Sequence, residues 1–162
     1  LIVCTGCADS HRTEKLVTSN TRLSARDSIC ISVPDDGVYG GKHYSGSGAT
    51  TAQTIKSAFL KRANDVKVVN GVARLEDAIQ QSIGQKCNFL VYPSILHWED
   101  RATEWSGKPD RVEVKVVLVN LETKQSLESA VIKGRSGLST FGGDHPQNLL
   151  PEPVEEFVSS LY

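Results

Sequence analysis

The stretch Asn88-Phe89-Leu90-Val91-Tyr92-Pro93-Ser94-Ile95-Leu96-His97-Trp98 is apolar at both alternating sets of positions. A strand with one face in water alternates apolar and polar residues. A run apolar on both sets therefore reads as a strand buried at the centre of a sheet. Pro93 lies inside it and removes a ladder donor, which predicts a bulge or a break. Downstream, Val112, Val114, Val116 and Leu118 alternate with Arg111, Glu113, Lys115 and Val117. This pattern predicts a half-exposed antiparallel strand. Glu122-Thr123-Lys124-Gln125 makes a turn, and Leu127 to Lys133 returns as the next strand.

Upstream, Ser28 to Val33 is a short β-rich run stopped by Pro34. Pro34 to Gly48 reads as loop, with Gly37, Gly40, Gly41, Gly46 and Gly48. Thr50 and Gln53 fit a capping box, and Ala52, Ile55, Phe59 and Ala63 recur at helical spacing. Asp65 to Val69 is a strand, and Leu75, Ile79 and Ile83 mark a second helix ending near Gly84. After a loop from Gly134 to Leu150, Pro151 and Pro153 open a last helix, with Glu152, Glu155 and Glu156 favourable to its dipole. Its apolar face is Val154, Phe157, Val158 and Leu161. The reading is one α/β (α+β) domain over residues 28–162. It has a mixed sheet of about five strands with helices packed on it, order βαβαβββα-like.

The 162 residues carry a formal charge of −1 and 39% hydrophobic content, which suits one globular domain. The near-neutral balance argues against nucleic acid, whose phosphates need a clustered positive surface. No segment approaches the roughly 20 apolar residues of a spanning helix. The chain has no Met, at position 1 or elsewhere, and we expect a leader upstream. Leu1 to Cys7 reads as the tail of a secretory signal, with small residues before a cysteine. It resembles the lipobox of bacterial lipoproteins, in which the Cys7 thiol would take the diacylglycerol. Cys4 stands where that motif prefers Leu. The alternative is a buried strand with Cys4 and Cys7 in the core. Residues 8–27 are polar and of mixed charge, and read as a partly disordered tether with a reach of about 25 Å. Ala8, rather than Asp, follows Cys7, which by the same resemblance implies the outer membrane with the domain in the periplasm. The lipid would be the membrane anchor.

No complete catalytic or cofactor motif is present. Gly37 to Lys42 (GVYGGK) misses the phosphate-loop spacing, and His43 stands where Ser or Thr is required. Two polar, aromatic loops stand out instead. One runs from His97 through Trp98, Glu99, Asp100, Arg101, Glu104 and Trp105. The other holds Phe141, Asp144 and His145. Aromatic loops at strand ends suit a recognition surface, to which Tyr44 could add. A small-ligand, metal or hydrolytic site from His97, Glu99, Asp144 and His145 is the alternative, should the loops meet. Cys30 and Cys87 read as two small buried thiols, with a disulfide as the other option.

Leu90 to Glu113 (LVYPSILHWEDRATEWSGKPDRVE), Phe141 to Gln147 (FGGDHPQ) and Leu149 to Tyr162 (LLPEPVEEFVSSLY) are long, specific strings. Through them the chain, from about Ile29 to Tyr162, resembles a family of Gram-negative lipoproteins described as a domain of unknown function. The resemblance implies a lipoprotein and assigns no activity or catalytic residues. The element order is also similar to the N-terminal domain of the Tol-system translocation protein, and to periplasmic lipoproteins that activate peptidoglycan synthases or assemble secretion channels. Those use the fold for protein contacts. The expectation is a non-enzymatic lipoprotein without cofactor, held to the membrane through Cys7, whose domain binds another envelope protein.

Overall fold

The computed structural model describes residues 9–70, 74–100, 109–137 and 145–162. Strands β1 (Ser10–Val17), β2 (Ser28–Ser32), β5 (Asp65–Val69), β6 (Phe89–Glu99), β7 (Arg111–Asn120) and β8 (Gln125–Arg135) form one mixed sheet in the order β1-β8-β7-β6-β2-β5. A small hairpin, β3 (Val38–Tyr39) and β4 (Lys42–His43), stands apart. The helices are α1 (Ser47–Leu60), α2 (Leu75–Gly84) and α3 (Pro151–Ser159), the last preceded by a 3-10 turn at Pro146–Leu149. β2 pairs in parallel with β5 and β6, as helical crossovers require. β6, β7, β8 and β1 are antiparallel neighbours.

The inner face of the sheet carries Ile29, Ile31, Val91, Val112, Val114, Val116 and Ile132 against α1 and α3. Among the described residues, the other face is covered by a helix only at one end. There α2 packs Ala78 and Ile79 on Cys30, Leu90, Val119 and Leu121. Within this smaller core Cys30 and Cys87 form a disulfide, which replaces the reading of two free thiols. β2 and the segment entering β6 lie side by side, so cysteines 57 apart in sequence come to a Cα separation of 5.8 Å, within bridging range.

Pro93 neither breaks nor bulges the strand. The last residue that β6 pairs with β2 is Val91, so Pro93 faces no ladder on that side. The bulge comes instead at Leu96, between the pairs Ile95–Val114 and His97–Glu113.

The tether over residues 8–27 is corrected. Ser10–Val17 is the sixth strand of the sheet, paired along β8 from Arg135 to Ser129. It lacks an apolar stripe because it is an edge. Its side chains make ion pairs instead, Lys15 with Glu128 at 2.8 Å and Glu14 with Lys133 at 3.3 Å. A lysine-bearing edge also discourages further strand addition. Leu23, in the same segment, is buried in the main core, and its N–H donates to the Leu161 carbonyl at 2.8 Å. The capping box at Thr50 is also corrected, because α1 begins at Ser47 and Gly46 holds the cap position.

Candidate functional site

The loop of residues 34–46 folds across the open part of β6. Its backbone rests on Trp98: a Cβ built at Gly37 would lie 2.5 Å from the Trp98 Cβ. Gly48, at the start of α1, lies so close to the Pro34 carbonyl that a Cβ would meet it at 2.1 Å. Both glycines are there for close approach.

The first N–H groups of α1 have an anion already. Asp36 accepts from Gly48 N–H at 2.8 Å and from Gly46 N–H at 3.0 Å, and the Ser47 hydroxyl lies 3.5 Å away. The Gly48 N–H, more than any other group, holds the Asp36 carboxyl below its ordinary value. A phosphate at this helix start would have to displace a carboxylate of the protein itself. Asp36→Ala is expected to lower stability by about 1 kcal/mol at neutral pH. The native carboxyl is depressed, so its contribution is full above the unfolded value near 4 and is lost as pH falls through the native one. Urea denaturation should separate the two proteins at pH 7 and bring them together at the acid end of the folded range.

Trp98 is 3% exposed and belongs to the main core, which corrects its place on a recognition surface. The bulge at Leu96 shifts the alternation by one, turning Trp98 inward opposite Val112 and His97 outward opposite Glu113. Glu99 is also buried, with its Oε2 3.1 Å from His97 Nε2. Asp100 lies beyond the strand end, with Oδ1 3.3 Å from His145 Nδ1, and its N–H points to the Tyr44 hydroxyl at 3.4 Å. The two loops therefore meet at Asp100 and His145. His97 with Glu99 and Asp100 with His145 make two separate pairs, and neither belongs to a three-ligand cluster among the described residues. Arg101, Trp105, Phe141 and Asp144 lie outside the described residues, as does Cys7. The cleft beside Tyr44, Ser47, Thr50, Trp98 and Asp100 measures about 260 Å³. That is under the roughly 300 Å³ at which small-molecule sites begin.

A set of exposed apolar side chains escapes the sequence reading. Val38 and Tyr39 of the hairpin are 58% and 40% exposed, and the bulged Leu96 is 54% exposed. The Tyr39 ring packs edge-on against His97 at 4.7 Å between centroids. Leu96 sits inside a run that looks buried throughout, and Val38 inside a glycine-rich loop, so pattern alone does not expose either. A second feature also comes only from the fold: His11 of β1 lies 3.2 Å from Glu156 and 3.7 Å from Glu152 of α3.

Solved structures share this architecture. The PelC dodecamer from Paraburkholderia phytofirmans superposes with a TM-score of 0.71 at 12% identity, covering 94% of this chain and 96% of that one. A DUF330 protein from Xanthomonas campestris gives 0.52 at 11%, covering 90% and 88%. Lipoprotein GNA1162 from Neisseria meningitidis gives 0.51 at 13%, covering 82% and 99%. At these identities the likeness is one of fold. A search of curated proteins finds no match. Among the described residues, no helix is long and apolar enough to cross a membrane. A family model described as a domain of unknown function, DUF4823, matches residues 21–161, and the chain belongs to that family.

Proposed function

We propose that this is the periplasmic domain of an outer-membrane lipoprotein, acylated on Cys7, that binds another envelope protein without catalysing a reaction. The observation that carries the reading is the Cys30–Cys87 disulfide, since such bonds persist in oxidising compartments outside the cytoplasm. The lipobox-like Thr5-Gly6-Cys7 supports the anchor. The contact surface is that of Val38, Tyr39 and Leu96 around His97. Exposed apolar clusters of this kind mark protein contacts. A second copy of this chain is the other candidate partner, favoured by the dodecameric state of the structurally similar PelC.

Photo-crosslinkers placed at Tyr39 and at Leu96 in the full-length protein should give a discrete adduct in cells. The same probe at the exposed Leu60 of α1 should give none. Adduct mass separates a self-contact from a different partner. Intact mass should show acyl chains on Cys7. An unmodified cysteine removes the anchor, and equal crosslinking at all three positions removes the surface.

A further inference from the structure

We propose that the open end of the sheet beside the start of β1 is a surface for anionic phospholipid, with Arg12, Arg111, Lys133 and Arg135 meeting the headgroups. The proposal rests on the Cys7 anchor put forward above. Strand register sets the four cations side by side. Ser10 pairs with Arg135, and Arg135 with Arg111; one step of the pleat further, Arg12 pairs with Lys133, and Lys133 with Glu113. Residues two apart share a face, so both rows point to the side opposite the main core. Together with Glu113 they line a cleft of about 350 Å³. α2 packs at the far end of the sheet, around Val119 and Leu121, and leaves this end open among the described residues.

Carboxylates stand among the cations, Glu99 opposite Arg111 and Glu113 opposite Lys133, but few close ion pairs form among the described residues. Arg12, Arg111 and Arg135 are exposed and form no ion pair among the described residues, while Lys133 reaches Glu14 at 3.3 Å. Asp9, at the rim, accepts from Gly137 N–H at 2.8 Å. Arg111 stands between Glu99 on β6 and Arg135 on β8, and the like-charge Arg111–Arg135 pair is one that an added anion would relieve. Chain length supplies the second argument. Only two residues, Ala8 and Asp9, lie between Cys7 and Ser10, which limits the span to at most about 11 Å. With β1 built into the sheet, an acyl group on Cys7 holds this end of the domain against the bilayer. A basic cluster so placed is drawn to an anionic leaflet.

The test uses the full chain with Cys7→Ser, so that no acyl group contributes, and vesicles of phosphatidylcholine alone or mixed with phosphatidylglycerol. The protein should co-sediment with the anionic vesicles only, and binding should collapse with added salt. Arg111→Glu with Arg135→Glu should weaken it at least about tenfold, whereas Lys56→Glu on α1 should not. Arg111→Gln with Arg135→Gln, which removes charge without reversing it, serves if the first pair disturbs the circular dichroism spectrum. Equal binding to both vesicles, or binding insensitive to both arginine pairs, overturns the proposal. An acylated Cys7 with no phosphatidylglycerol preference sinks this inference alone, and an unmodified Cys7 with that preference intact sinks the anchor alone.

Discussion

Cys30→Ala with Cys87→Ala is expected to destabilise the domain by about 4 kcal/mol, because the bridge closes a long loop in the unfolded chain. The cysteines are 57 residues apart, and the segment between them contains α1, β5 and α2. Without the bond, that whole segment is free to expand on unfolding. The midpoint of thermal unfolding should drop by roughly 10 °C for a domain of this size. The bridge sits beneath α2 with Val69, Ala78, Ile79 and Leu90, so this smaller core should loosen first. Urea denaturation with and without reductant checks the origin of the effect. Reductant should shift the wild-type curve and leave the double variant where it is. A wild-type curve indifferent to reductant, or four free thiols counted under denaturing conditions in the unacylated chain where the bond leaves two, would refute the bond. It would also remove the main support for a location outside the cytoplasm.

Trp98→Ala should cost about 3–5 kcal/mol, the range for emptying a large buried aromatic site. Gly37 lies against Trp98, so the loop carrying Val38 and Tyr39 should lose its footing with the ring. Any loss of partner binding in this variant would therefore be a consequence of damaged structure. Tyr39→Ala makes the contrast. Tyr39 is 40% exposed, and its removal should leave stability within about 0.5 kcal/mol. It should nevertheless abolish the discrete crosslink at the contact surface. Urea midpoints of the two variants, set beside their crosslinking, divide support of the surface from the surface itself. A mild Trp98→Ala accompanied by a severe Tyr39→Ala would reverse the assignment.

Most of the fold was legible because the segments concerned bury one or both faces. β5 has the expected bounds, α2 ends where Gly84 suggested, and the alternation of Val112, Val114, Val116 and Leu118 is the inner face of β7. β1 was not legible, because an edge strand stabilised by ladder bonds and ion pairs to β8 leaves no apolar period in its own sequence. The cap of α1 was hidden for a related reason. Its acceptor is Asp36, ten or more residues upstream, in a loop whose path depends on Trp98.

The candidate site was less legible than the fold. His97, Asp100 and His145 do lie near one another along the chain path or in space, but they divide into pairs. A single bulged residue, Leu96, decides which side chains of the strand enter the core and which meet solvent. Parity along a strand is local arithmetic, whereas the place at which it slips is set by the partner strand.

The amino-acid order by itself determined an α/β domain with a central strand, parallel crossovers and an antiparallel hairpin, because hydrophobic periodicity is written residue by residue. Only the tertiary structure decided the recruitment of β1, the Cys30–Cys87 bond, the inward turn of Trp98 and the alignment of Arg12, Arg111, Lys133 and Arg135. Each of these joins residues distant in the chain, and strand register, rather than local sequence, brings them within reach of one another.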